Sequence, residues 1–421
     1  HNSSLEAKPA MRQSALIAAL VASAYALDNG VGLLPPLGYN TWNDLSCSRM
    51  SEEAIISAAE ALQRTGLQQR GYVYVNLDDC WQDPSGRDAV SGKLRADPAK
   101  FPSGMQNLSS YLHDRGFKFG LYTDRGRRTC AGREGSQGFE ALDAQTFADW
   151  GVDYVKEDNC YSSSGPNDKT ELFAQFALFR DALNKTGRPM IFSVCGGGDQ
   201  LPFSNLSYYA TDQRGGRALA NLWRVTSDVT GSWTLRFAYD VAAQLGAFAG
   251  HGGFNDPDML LGSSKGAARR LEAHQSRTQF NLWAVLMAPM LLGADVRDLT
   301  AFDLETYSNK KVLEVGQDSL AQQGGLLSRS GATSVWGRQL QNGAWALLFL
   351  NEGWFWRQKV SCSESCWSKM SFIRNSSISL EDLWSLILPT HEIVAGEDLI
   401  LEVEAGQSRM LRLAPKADLI I

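Results

Sequence analysis

The sequence lacks the marks of a nucleic-acid partner, a catalytic metal or a membrane span. Lys and Arg number 40 against 46 Asp and Glu, giving a net charge of −6 with no basic tract. Counterion release on a phosphate backbone has nothing to work with, which excludes nucleic acid as a main partner. Histidine is scarce: residues 1, 113, 251, 274 and 391 form no HExxH and no paired ligand spacing, so no metal is expected. Gly196–Gly198 follows a strand-like run but lacks the Gly-x-Gly-x-x-Gly spacing, so no dinucleotide or other cofactor is expected. The one long apolar run, Ala15–Ala26, is too short to cross a bilayer.

That run follows Met11 and Arg12 and ends in Ala24-Tyr25-Ala26, the n-region, h-region and small-x-small cleavage pattern of a signal peptide over 11–26. Residues 1–10 precede Met11 and are set aside as upstream sequence. The expectation is a chain in the secretory pathway, extracellular or lysosomal/vacuolar. Cysteine number is odd, 7, so at least one is unpaired or pairs between chains. Asn-x-Ser/Thr triplets stand at Asn2, Asn107, Asn184, Asn205 and Asn375, and the last four are glycosylation candidates, although chance supplies some triplets.

What is present is a globular chain. With 421 residues, 44% of them hydrophobic and 20% charged, it has a full core and room for a large domain plus a smaller one. Short apolar runs recur, each ending in polar residues: 36–43, 72–79, 117–124, 152–158, 189–195, 222–228, 252–256 and 288–295. Their mean spacing, about 36 residues, matches the thirty-odd residues of one βαβ repeat. Between them lie segments with helical spacing, such as 52–65, 104–115, 142–150, 171–184 and 235–248. Eight alternating units predict a (β/α)₈ barrel over 27–316. After 316 the pattern becomes strands and turns with no convincing helix, which predicts a C-terminal antiparallel β-sandwich over 317–421. Six of the 12 Trp fall in that tail, at 336, 345, 354, 356, 367 and 384. They suggest either a sugar-binding module or, the expected reading, a sandwich core.

In a barrel the strand C-termini form one active face, so the side chains ending these runs should converge. They are Asp78, Asp79, Asp124, Asp158, Asp228 and Asp256, with Lys156, Arg224, Trp42 and Tyr122 nearby. Each Asp taken alone could be the N-cap of the helix that follows. N-caps would not also need Lys and Arg two or four residues upstream on the same strand. Such a set suits glycosidic cleavage: one carboxylate attacks or stabilises an oxocarbenium-like centre and another protonates the departing oxygen. Lys156 and Asp158 share a strand face, so the ammonium should favour an ionised carboxylate. Spacing alone does not identify the acid.

The segments Pro36–Asn43, Asn76-Leu-Asp-Asp-Cys-Trp81, Gly120–Asp124, Thr129–Arg133, Lys156-Glu-Asp-Asn-Cys160, Trp223–Asp228, Asn255-Asp-Pro-Asp-Met-Leu260 and Pro289–Gly293 resemble, in order, the motifs of the α-galactosidase (melibiase) family, glycoside hydrolase family 27. Leu27-Asp-Asn-Gly30 and the weaker Asp382-Leu-Trp384 extend the likeness to both ends. The resemblance implies a retaining enzyme that removes terminal α-linked galactose from oligosaccharides or glycoconjugates, its carboxyls about 5 Å apart. Asp158 would be the nucleophile and Asp228 the acid/base. Arg224 would reach the C2 hydroxyl, Asp78 and Asp79 the C4 and C6 hydroxyls, and Lys156 O3 and O4, with Trp42 against the ring. Tyr122, Cys195 and Asp256 would complete the substrate contacts. Cys47–Cys80 and Cys130–Cys160 look like the two family disulfides; Cys362 and Cys366 are expected to pair as a third, leaving Cys195 free. The expected partner is a galactose-terminated glycan, with a homodimer open.

The chain also departs from the family pattern. Gly196–Gly198 replaces a carboxylate and an aromatic in the wall facing C2, which leaves room for an N-acetyl group and makes α-N-acetylgalactosaminidase the alternative. Glu157 replaces an apolar neighbour of the nucleophile and is expected behind the site. Phe254 stands where Trp is common. Arg125, Arg127 and Arg128 form a basic loop expected to be solvated. Two rivals remain. Gly262-Ser-Ser-Lys-Gly266 matches Gly-x-Ser-x-Gly, with Ser264, Asp295 and His391 in α/β-hydrolase order, but no strand precedes the Ser. A sugar-binding protein without turnover is the other; the presence of both carboxylates argues against it.

Overall fold

The computed structural model describes residue 27 and residues 29–162, 169–195, 215–264, 270–385 and 391–416. The expected signal peptide, Asn205 and the Gly196–Gly198 wall lie outside the described residues. The barrel strands are β1 (Leu37–Asn40), β2 (Tyr72–Asn76), β3 (Lys118–Asp124), β4 (Tyr154–Asp158), β5 (Ile191–Val194), β6 (Leu222–Arg224), β7 (Phe254–Asp256) and β8 (Met290–Leu292). They pair in parallel in the order β7-β6-β5-β4-β3-β2-β1-β8. The last seam is closed by the segment after β7: Leu260 bridges Leu292 in parallel, and its N–H donates to Leu291 O at 2.9 Å. The sheet is therefore a closed (β/α)₈ barrel.

Side chains alternate across the barrel wall. Tyr154, Ile191, Leu222 and Phe254 fill the lumen with Met259, Met287 and Leu291. Their neighbours Val155, Phe192 and Trp223 point outward to the main core under the helices. Gly120 is needed on β3 because a Cβ there would lie 2.1 Å from Asn76 Oδ1.

The strands are shorter than the apolar runs that predict them. β1 ends at Asn40 and Trp42 already begins a helix, Trp42–Arg49; β2 ends two residues before Asp78, and β6 four before Asp228. The carboxylates thus sit on the loops at the mouth, where backbone groups left free by the sheet need partners. Helix Ala273–Leu286 was not marked by periodicity, and the reason is burial. Its outer face is covered by the C-terminal domain, so ten of its residues are buried and no polar stripe remains.

That domain comprises β9 (Gly325–Ser330), β10 (Thr333–Gln339), β11 (Trp345–Asn351), β12 (Gln358–Cys362), β13 (Ser377–Asp382), β14 (His391–Val394), β15 (Leu399–Val403) and β16 (Ser408–Pro415). A six-stranded antiparallel sheet, β14-β13-β16-β11-β10-β9, faces a β12–β15 pair. One helical turn, Glu364–Trp367, interrupts the strands that were expected without helix. Along β11, Trp345, Leu347 and Phe349 enter the sandwich core, while Ala346, Leu348 and Leu350 join the barrel's core. Arg338, fully buried on β10, donates to Ala284 O at 2.9 Å and Val315 O at 2.5 Å, occupying carbonyls at the ends of two barrel helices. Of the six tail tryptophans, Trp336, Trp345 and Trp367 are buried and Trp384 is partly so; Trp354 and Trp356 are exposed. Disulfides join Cys47 to Cys80, Cys130 to Cys160 and Cys362 to Cys366, and Cys195 is free. Among the described residues no helix is long and apolar enough to cross a membrane.

Candidate active site

The aspartates at the strand ends share one local device. Asp78, Asp79, Asp124, Asp158 and Asp256 each use a carboxylate oxygen to accept a backbone N–H one or two residues on, turning the chain as it leaves the sheet. Asp78 takes the N–H of Asp79 at 3.0 Å, Asp124 that of Gly126 at 2.7 Å, Asp158 that of Asn159 at 2.9 Å, and Asp256 that of Asp258 at 2.8 Å. The N-cap alternative does not describe them. They differ in what the second oxygen meets.

Asp78 Oδ2 accepts from Lys156 Nζ at 2.8 Å and from Asn40 Nδ2 at 2.9 Å. Asp158 Oδ2 accepts from Tyr122 OH at 3.1 Å, and the Lys156 ammonium stands 5.0 Å from the Tyr122 ring centroid. The register explains this meeting, since Tyr122 is paired with Lys156 across β3 and β4, and Lys156 and Asp158 share a face. Trp81 Nε1 donates to Tyr122 O at 2.8 Å and anchors that strand end. Asp79 and Asp124 turn their oxygens to backbone groups as well. Asp79 Oδ1 accepts Cys80 N–H at 2.7 Å and its Oδ2 the N–H of Ala131 at 2.8 Å. Asp124 Oδ2 accepts Cys160 N–H at 2.8 Å beside the Cys130–Cys160 disulfide. Burial, reinforced by Asp158, pushes Asp124 up to about 8.

A second group lies on the β5 to β7 side. Arg224 Nη2 is 3.2 Å from Asp228 and 3.1 Å from Asp258, and its Nη1 donates to Cys195 Sγ at 3.6 Å. The Asp228 side chain is 53% exposed, whereas Asp258 is 3% exposed. The two groups share one field. The Cys195 thiol is pushed up by burial and by Asp158 and Asp228, against the pull of Arg224 and Lys156, so it is no ready thiolate. Asp256, raised by burial, is pulled back by Arg224 and Lys156. The Lys156 ammonium does draw Asp158 toward its ionised form, and Arg224 helps, yet burial and Asp78 outweigh them and the net shift is upward. The expectation from the shared face had the sign of the lysine's contribution but not the sum.

Trp42, half-buried, packs on the lumen cluster next to Tyr74, and Phe254 lies inside that cluster. Glu157 points behind the site into the core, with neither carboxylate oxygen hydrogen-bonded, and burial followed by the Asp124 charge raises it well above the carboxylate range. Arg125 corrects the solvated reading of its loop. It is buried, donates from Nε to Asn159 Oδ1 at 2.5 Å, and lies 5.5 Å from the Phe176 ring centroid; Arg127 and Arg128 are exposed. Asp258 was missed as a site residue. Its only signal was the Asp256-Pro-Asp258 motif, because β7 has ended and strand alternation no longer applies. Asp124, Cys130, Asp158 and Cys160 cluster as metal ligands would, but the two sulfurs are joined to each other and offer no thiolate.

The serine-hydrolase rival fails on geometry. Ser264 is buried and its Oγ donates to Asp303 at 2.5 Å, Asp295 is engaged by Arg297 at 2.6 Å, and His391 is exposed on β14 in the other domain.

A closed parallel barrel whose mouth gathers these carboxylates, a lysine and an arginine defines an enzyme of the sugar-cleaving barrel class. Comparison with known proteins narrows this. Residues 35–318 match the α-galactosidase A family model and residues 330–413 the α-galactosidase C-terminal β-sandwich domain. A probable α-galactosidase of Dictyostelium discoideum is 36% identical over 369 residues, 87% of this chain and 89% of that protein. The crystal structure of α-galactosidase I from Mortierella vinacea aligns with TM-score 0.81 at 31% identity, covering 93% of this chain and 99% of that one. The Saccharomyces cerevisiae α-galactosidase solved with raffinose aligns with TM-score 0.81 at 27% identity, covering 92% and 99%. The chain belongs to the α-galactosidase family.

Proposed function

We propose that the protein is a retaining α-galactosidase and that Asp158 and Asp228 perform a double displacement. In the first half, Asp158 attacks the anomeric carbon as the glycosidic C–O bond breaks. Protonated Asp228 gives its proton to the departing oxygen. In the second, Asp228 takes a proton from water, the water oxygen attacks the same carbon, and the bond to Asp158 breaks. Two inversions leave an α-configured galactose. The observation that carries this reading is the contrast between a sheltered Asp158, fixed by Tyr122 OH at 3.1 Å, and a half-open Asp228 held by Arg224 at 3.2 Å. A nucleophile needs a fixed position; an acid/base needs access to the leaving group and to water. Asp78 and Lys156 supply a charged pair to the ring hydroxyls, Arg224 the hydroxyl on C2, and Trp42 an apolar wall. Asp256 and Cys195 lie on the same rim.

The test is hydrolysis of a chromogenic α-galactoside by purified protein, with proton NMR of the first sugar formed. An α-anomer as first product supports the reading; a β-anomer, or no turnover, ends it. Running the N-acetylgalactosaminide in parallel decides the alternative at C2. We place the protein in the secretory route, because three disulfides suit an oxidising compartment. Glycans would sit on Asn107, Asn184 and Asn375, all exposed. Mass spectrometry of the native protein would find or exclude them.

A further inference from the structure

A cleft of about 490 Å³ opens between the barrel and the sandwich, and no residue of the barrel mouth lines it. Its walls come from the starts of two barrel helices, around Trp233, Arg236 and Gln275, and from the turn after β11, around Glu352 and Trp354. Trp233 is 76% exposed and lies parallel to Phe237, at 5.9 Å between centroids and 7° between planes. Trp354 is 74% exposed and is followed by exposed Phe355 and Trp356. Large apolar faces left open in this way need an explanation, since they contribute nothing to the core.

The turn that carries them is held in place. Fully buried Asn351 donates to Trp356 O and to Val403 O, both at 2.9 Å, and accepts Gly353 N–H at 2.9 Å. Beneath it Glu352, with a side chain 5% exposed, pairs with Arg236 at 2.9 Å and Arg329 at 3.2 Å and accepts from Tyr239 OH at 2.8 Å. His274 lies on the same wall against Gly406, where a Cβ would come within 2.9 Å of the imidazole Nε2. The cleft therefore offers open indole faces at its edge and the Glu272 carboxylate, the His274 imidazole and the Gln275 amide along one wall. An acyl chain would leave the His274 imidazole and the Glu272 carboxylate on that wall without a polar partner. A strong anion would meet Glu272 and Glu352, with Arg236 already paired. A neutral pyranose fits both halves: its C–H face lies on an indole while its hydroxyls reach the polar groups.

We propose that this cleft is a second saccharide site, which takes a neutral sugar unit of the galactose-bearing glycan and holds the enzyme on it outside the catalytic mouth. The choice of glycan rests on the α-galactosidase reading; the sugar chemistry of the cleft does not. The test is affinity electrophoresis of the full chain through a gel containing galactose-branched β-mannan, with Asp158→Asn present so that branches are not trimmed. That protein should be retarded, and adding Trp233→Ala with Trp354→Ala should weaken retention roughly ten-fold. In the active background the same two changes should leave kcat/KM on a small chromogenic α-galactoside within about two-fold, which also reports that the fold is intact. Equal retention with and without the tryptophans, or no retention at all, overturns the proposal. So does co-sedimentation with phosphatidylcholine vesicles through Trp354–Trp356 in place of glycan binding. Retention that depends on the tryptophans in a chain that cleaves no α-galactoside would sink the activity reading alone.

Discussion

The β2–β4 side of the barrel mouth and the β5–β7 side are built on opposite plans. On the first, Asp158 is partly buried and receives its hydrogen bond from Tyr122, with Lys156 neutralising Asp78 at 2.8 Å. On the second, Arg224 is shared between exposed Asp228 and buried Asp258. One side shelters its carboxylate, and the other leaves one open to solvent beside a shared arginine. The lesson is that burial and partner number distinguish carboxylates that residue type alone does not.

Substitutions should expose this asymmetry. The largest effect is expected from Asp158→Asn, which removes the partly buried carboxylate. Steady-state turnover should fall by roughly 10⁴-fold or more for every α-galactoside, whatever its leaving group. Asp228→Asn should divide substrates instead: those with poor leaving groups lose roughly 10²- to 10⁴-fold, while an activated nitrophenyl galactoside keeps much of its first-step rate in a stopped-flow burst. Equal losses on both substrates would break the comparison. Asp258→Asn should cost less, about ten-fold in kcat/KM, and carry a pH signature. Losing this carboxylate frees Arg224 for Asp228 and removes a like charge, so both effects stabilise ionised Asp228. The alkaline limb of the kcat/KM profile should move to lower pH; movement upward would contradict the shared-arginine geometry.

The smallest effect concerns stability rather than rate. Asp124, raised to about 8, and Glu157, raised well above the carboxylate range by burial, bind protons more tightly folded than unfolded. Their contribution is complete below about pH 4, the unfolded range for such groups, and is lost as pH rises toward and through about 8. Urea denaturation should therefore show a chain less stable at pH 7.5 than at pH 5. Glu157→Gln should flatten that slope by up to about 1.4 kcal/mol per pH unit.

The barrel was legible because its signal is repetitive: eight apolar runs, each stopped by polar residues, six of them by an aspartate. Lys156, Asp158, Asp78 and Arg224 could be read from the same stops. Three things were not legible. Helix Ala273–Leu286 is covered on both sides and shows no polar face. Asp258 lies past the end of its strand, where alternation gives no face. Arg125 is buried by a partner thirty-four positions away, Asn159, and its local Arg-rich context points to solvent. In each case the deciding contact is tertiary, and local pattern cannot report it.

The shared strand β11 and the arginine behind it also decide how the chain can be divided. Its two faces belong to two cores, and Arg338 satisfies the ends of helices in the neighbouring domain. A chain cut near residue 320 would leave greasy helix surface in water and several carbonyls bare. The sandwich is thus a structural half of the enzyme, and heat should melt both halves in one step.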